Sequence, residues 1–244
     1  MALLLTIHSN RLHFKMKELL PFFQSRCGLY VFLSRVFETE IDGTFLEKIR
    51  SMDFTADYPS EAMKEGAAKL GDWLKNPGGD PLTDLAVDYA RIFIGAGVTG
   101  GKAAYPYESV YTSPQGLVMQ EAWEKVCAIY RRHGLARKEH SDIHEDHIAL
   151  ELDFMAQLCR DAMKFAARGD SEAVTASLEA QASFLEDHLL NWTKGFARDV
   201  ERYAEKPFYP AVAQFMRGFL IVDGALLKDL LQELKNDGMP QAEA

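Results

Sequence analysis

An all-α fold, a single-domain multi-helix bundle, is what this 244-residue sequence predicts, and three observations predict it. Apolar residues recur at helical spacing through nearly the whole chain. The alternation that makes half-buried strands is absent. The interruptions are short clusters of Gly, Pro, Asn and Asp of the kind that end one helix and begin the next.

Taken in order, Met1 to Ile7 is apolar but has no basic stretch before it and runs directly into His8, Arg11, His13 and Lys15. Residues 1–15 are therefore expected to be frayed rather than a signal peptide or a span. Phe22, Leu29, Leu33 and Val36 give the first helix its apolar stripe. The run Asn76-Pro77-Gly78-Gly79-Asp80-Pro81 ends a helical region and precedes another, Leu85 to Phe93. Gly95 to Pro114 is the one long loop, and loops of that length in compact domains are often functional. Met119, Trp123, Val126 and Tyr130 lie on the next helix, which stops at His133-Gly134.

Asp142 followed three positions later by Glu145 resembles a capping box and predicts a helix start there. Asp142, Glu145 and Asp146 then fall in a first turn, where the helix dipole favours acids, with His147 and Glu151 as an exposed i,i+4 pair. Breaks at Arg168-Gly169-Asp170 and Lys206-Pro207 set off two more stripes. One carries Leu185, Leu189, Trp192, Phe196, Val200 and Tyr203; the last carries Val212, Phe215, Phe219, Leu226 and Leu230. These signals give about seven to nine helices in one domain over residues 1–244, with a flexible tail over 236–244.

Composition narrows the function. With 48% hydrophobic and 26% charged residues the chain can bury a full core. Its net charge of −9 disfavours a non-specific nucleic-acid binder, which needs clustered Lys and Arg to release counterions, and favours basic partners. No nucleic acid is expected as a partner. No uninterrupted apolar run reaches the roughly 20 residues that span a bilayer, so direct membrane insertion is not expected either. Cys27, Cys127 and Cys159 form neither a CxxC pair nor an even set, which fits a reducing cytoplasm.

Three constellations suggest chemistry. Gly95-Ala96-Gly97-Val98-Thr99-Gly100 fits the GxGxxG pattern, but the pyrophosphate-binding turn needs a strand before it and a helix opening on it. Here a helical segment precedes and Pro106 follows closely, so a loop is expected instead. His140, His144, His147 and Glu151 line one helical stripe. Four ligands on one straight helix cannot converge on an ion without partners from elsewhere. Third, Glu145-Asp146-His147-Ile148 is echoed by Glu186-Asp187-His188-Leu189, but the flanks do not match and no fixed period recurs. No nucleophile elbow, Walker A sequence or HExxH is present.

Other stretches carry a family resemblance. Tyr89-Ala90-Arg91-Ile92-Phe93 is followed by Gly95 and Gly97, then by Pro106-Tyr107-Glu108-Ser109-Val110-Tyr111. After these comes Glu145-Asp146-His147-Ile148, leading into Glu151-Leu152 and Phe154-Met155. In order and spacing these resemble the TorD/DmsD/NarJ-like chaperone family, and the likeness continues through Phe184, His188-Leu189, Trp192, Phe208-Tyr209 and Phe219-Leu220. Two positions depart from it: His144-Glu145 stands where a proline often precedes the Asp-His pair, and Ile92 stands where leucine is usual.

The resemblance implies a cytoplasmic helical chaperone, not an enzyme. Its partners would be the twin-arginine leader peptide and the apo form of a molybdopterin-dependent oxidoreductase subunit, held until cofactor insertion and before export. It implies no resident cofactor, with weak guanine-nucleotide binding left open. Such a leader is basic at one end and apolar in the middle, so its receptor needs carboxylates beside an apolar groove. Tyr89, Phe93, Tyr107 and Tyr111 are the expected apolar lining, and Glu108, Asp146 and Glu151 the expected guanidinium partners. Pro106, Ser109 and His147 complete the candidate set. The alternatives are a nucleotide hydrolase using the glycine loop, and a metal-binding bundle using His144, His147 and Glu151 with His188. A monomer and a domain-swapped dimer are both compatible with the sequence.

Overall fold

Local sequence signals account for most of the helix boundaries. In a computed structural model, which describes residues 16–97, 102–137 and 142–237, a 3-10 turn at Met16–Leu19 leads into α1 (Leu20–Glu38). Asp42 caps α2 (Gly43–Arg50) by accepting from Phe45 N, and Ser60 caps α3 (Glu61–Lys75) through Met63 N. Asp80 accepts from Leu82 N and Thr83 N to start α4 (Pro81–Tyr89), with Pro81 at the first helical position, where its missing N–H costs nothing. A single π-helical turn, Ala90–Ile94, continues α4 until Gly95 stops it at φ 79°.

The middle of the chain holds α5 (Glu108–Thr112), α6 (Glu121–Arg132) and α7 (Ile148–Arg168). Gly169, left-handed at φ 73°, closes α7, and the adjacent Asp170 caps α8 (Ser171–Phe184), so two residues reverse the chain. A second π-helical turn, Leu185–Leu190, joins α8 to α9 (Thr193–Tyr203), and α10 (Phe208–Asp237) ends the described chain.

This is the expected all-α class, with ten α-helices among the described residues rather than seven to nine. The surplus is short: α2 has eight residues and α5 has five. The expected frayed terminus and flexible tail lie outside the described residues, apart from Asn236 and Asp237, which close α10.

Packing centres on two helix pairs, α1 along α7 and α3 along α10, joined into one apolar core. The second pair is close enough to require glycine. A Cβ on Gly66 would stand 2.7 Å from Ala211 O and Phe215 N, and one on Gly218 would stand 2.8 Å from Met63 Cγ. Within the core, Arg26 of α1 donates from Nε and Nη2 to the two oxygens of the Asp223 carboxylate of α10, and from Nη1 to Gln181 Oε1 of α8. Tyr30 adds a 2.6 Å hydrogen bond to the same carboxylate. Removing one partner of such a buried pair costs about 3–5 kcal/mol, so this network fixes how α1, α8 and α10 meet. Helix α10 is the one helix among the described residues long and apolar enough to cross a membrane, but 61% of its most apolar window is buried inside the protein.

Candidate functional site

The segments singled out in the sequence meet through a two-bond antiparallel bridge. Ile148 N donates to Pro106 O at 2.9 Å, and Glu108 N donates to Asp146 O at 2.9 Å, pairing Tyr107 with His147. Asp146 also accepts from Ser109 N through Oδ2 at 3.0 Å. Its main chain and side chain thus satisfy two of the N–H groups that α5 leaves open at its start. His147 caps α7 in turn, Nδ1 accepting from Ala149 N at 3.1 Å.

These contacts correct the expected helix start. Helix α7 begins at Ile148, not near Asp142, because Asp146 is committed to α5 and His147 is the cap. Asp142, Glu145 and Asp146 are therefore outside the first turn. Nor are His147 and Glu151 a surface pair: they are 2% and 0% exposed. Burial moves the His147 pKa down to about 3, leaving it neutral, as its acceptor role requires.

A buried acid cluster lies behind the bridge. Glu108 Oε1 accepts from Asn191 Nδ2 at 2.6 Å, and Oε2 faces His188 Nδ1 at 2.9 Å. Glu151 Oε2 accepts from Trp192 Nε1 at 3.1 Å. Its Oε1 meets no N–H donor among the described residues, and its neighbour is Glu108. Burial first, then the Glu108 and Asp146 charges, push the Glu151 pKa well up, which favours its protonated form beside Glu108. Burial also raises Asp146, against hydrogen bonds from Ser109.

Of the other expected lining residues, Tyr89 and Phe93 are core. Tyr89 donates to Phe37 O at 3.2 Å, and Phe93 packs on Phe37, Phe196 and Tyr209. Each carries a large apolar ring at a helix position facing the centre, so neither presents a surface to a peptide. Tyr107 and Tyr111 are half-buried, the first edge-on to His147 and the second against Trp192 and Phe196. Pro106 and Ser109 are buried in the bridge and in α5.

The surface that remains open is a cleft of about 610 Å3 over Glu108, between the 113–120 loop, α6 and the second π-helical turn. Glu108, Glu121 and Asp187 give its wall negative charge. Lys125, which pairs with Glu121 at 2.8 Å, and His188 are the basic members. The adjoining loop exposes Leu117 (56%), Val118 (39%) and Met119 (44%) in a row. Met119 has φ 57°, a left-handed conformation that costs a side-chain-bearing residue about 1 kcal/mol or more.

Sequence reasoning missed Glu121, Asp187, Asn191 and the loop triplet. The one available signal was the echo Glu186-Asp187-His188-Leu189, since both tetrapeptides touch Glu108. The two do not share a conformation: one is a bridge and cap, the other a π-helical turn.

Among the described residues neither alternative site is assembled. A helix, not a strand, leads into Gly95, while Val98 to Gly101 lie outside the described residues. Among the described residues no three His, Cys, Asp or Glu side chains are grouped to hold a metal ion. His140 lies outside them.

The family model described as nitrate reductase delta subunit matches residues 56–198, more than half of the chain and both halves of the site. The chain belongs to this TorD/NarJ-like family. Relatives named chaperone protein TorD include one from Vibrio vulnificus, 27% identical over 218 residues, covering 87% of this chain and 99% of the relative. One from Photobacterium profundum is 27% identical over 224 residues, with 87% and 98% covered. One from Vibrio cholerae serotype O1 is 30% identical over 154 residues, with 63% and 67% covered. Family and relatives together support a redox-enzyme maturation chaperone.

Proposed function

We propose that this chain is a cytoplasmic, non-enzymatic chaperone that binds the twin-arginine leader of an apo molybdopterin-dependent oxidoreductase subunit, holding it until the cofactor is inserted and export can follow. The observation that carries this reading is the acidic cleft beside three consecutive exposed apolar side chains, Leu117, Val118 and Met119. A leader with guanidinium groups next to an apolar segment is complementary to that pair of surfaces. Glu121 and Asp187 are the carboxylates with room to meet guanidinium. Asp146, His147 and Glu151 act from behind, holding α5 and therefore Glu108 in place.

The test is titration of the purified chain with a synthetic twin-arginine leader and its Arg-to-Gln double variant, at low and high salt. Binding falls with salt and with loss of the arginines. Glu121→Gln and Asp187→Asn each weaken it by about two- to fivefold, as expected for partly exposed ion contacts. Equal affinity of the Arg-to-Gln leader, or of both protein variants, contradicts the proposal.

A further inference from the structure

We infer that the groove between α3, α9 and α10 is a second docking site, one that takes a carboxylate-rich peptide segment of a protein partner. It encloses about 730 Å3, and its charged lining is Lys69, Lys194, Arg198 and Arg217 against Glu65 and Glu201. On a chain of net charge −9, a concave surface with surplus cations runs against the average.

Two of these cations are unanswered among the described residues. Lys194 and Arg217 have no ion pair or side-chain hydrogen bond among the described residues, although Arg217 is half-buried. Arg198 is 3.6 Å from Asp199 and largely in solvent. The cleft between α2 and α3, of about 620 Å3, is different. There Arg50 pairs with Glu47, Lys64 with Asp57 and Lys75 with Asp72. Lys194 is also placed against the helix field. It stands in the first turn of α9, which has no acidic residue and no side-chain cap, where the dipole favours an anion.

The spread of the groups selects the ligand. A compact phosphate is held by donors converging on one point. Here the cations come from three helices, Lys69 on α3, Lys194 and Arg198 on α9 and Arg217 on α10, over a floor of Gly195, Ala197 and Pro210. A Cβ on Gly195 would meet Tyr111 Cδ1 at 3.0 Å, a tight contact. An extended chain with spaced carboxylates matches that layout. Asn191 lines this groove and the acidic cleft alike, so one partner with basic and acidic segments can lie across both. The groove shares no cation with the leader cleft, and the inference stands whether or not the leader binds there.

The experiment uses the full chain and a fluorescein-labelled peptide of alternating Glu and Gly, followed by anisotropy at low and high salt. The Lys194→Gln/Arg217→Gln double variant is expected to lose about tenfold in affinity. Arg217→Lys with Lys194 intact keeps most of it, and Arg50→Gln/Lys75→Gln keeps it all. Circular dichroism verifies that each variant is folded, and leader affinity stays unchanged in the double variant. The proposal is overturned if wild type does not bind the peptide at low salt, or if the double variant binds it as well as wild type. It is equally overturned if inorganic pyrophosphate binds the groove while the peptide does not, which makes it a small-anion site.

Discussion

Glu108 on α5 and His188 on the second π-helical turn, 80 residues apart in the chain, face each other at 2.9 Å with side chains only 3% and 7% exposed. Asn191 Nδ2 closes the other side of the same carboxyl group at 2.6 Å. With the Asp146 bridge, Glu108 therefore fastens a five-residue helix, too short to be stable alone, to the rest of the bundle.

Glu108→Ala leaves His188 and Asn191 facing an empty, largely buried position. The expected loss is about 2–4 kcal/mol of unfolding free energy, read from urea denaturation. Because α5 forms one wall of the cleft, leader affinity falls with it. A loss below about 1 kcal/mol means α5 is held by something other than this contact.

Two buried groups give opposite pH dependences. The His147 pKa is about 3 in the folded protein and near 6.5 when unfolded. The unfolded chain binds the extra proton between those values, so this contribution is complete above pH 6.5 and is lost as pH falls toward 3. The Glu151 pKa is raised, so the folded chain holds the extra proton. That contribution is complete below the unfolded value of about 4.3 and is lost as pH rises through the folded value. His147→Asn, which keeps an N-cap acceptor, flattens the acid side of the stability profile. Glu151→Gln flattens the side above pH 4.3 and costs about 1 kcal/mol or less at low pH, where both side chains are neutral. Urea midpoints across pH 3–8 read both, and profiles parallel to wild type refute the assignment.

Met119 carries backbone strain for an exposed apolar side chain. Met119→Asn places a residue tolerant of the left-handed region there. Unfolding free energy is expected to hold or rise by up to about 1 kcal/mol, while leader affinity drops. A variant that loses stability, or binds the leader unchanged, removes the functional reason for the strain.

Most helices were legible because their signals are local: Asp80 with Pro81, and Gly169 with Asp170, need only neighbouring residues to act. The start of α7 was not, because Asp142 and Glu145 offer a plausible local cap that a tertiary demand overrides. Asp146 is taken by the N–H groups of α5, 37 residues away. Helix α5 itself was hidden inside a loop, since five residues carry no periodicity. The motif residues were found in sequence, but their burial was not, because an acid such as Glu151 reads as surface until Trp192 and Glu108 are seen to enclose it.

The central claim, that a leader peptide lies in the cleft over Glu108 and against Leu117 to Met119, is tested most directly by photo-crosslinking. A synthetic twin-arginine leader carries benzophenone at successive positions of its apolar segment, and the adducts are mapped by mass spectrometry on the full chain. The account predicts adducts on residues 113–125 and 187–191, competed by unlabelled leader. Adducts confined to the α2–α3 cleft, or spread without competition, contradict it.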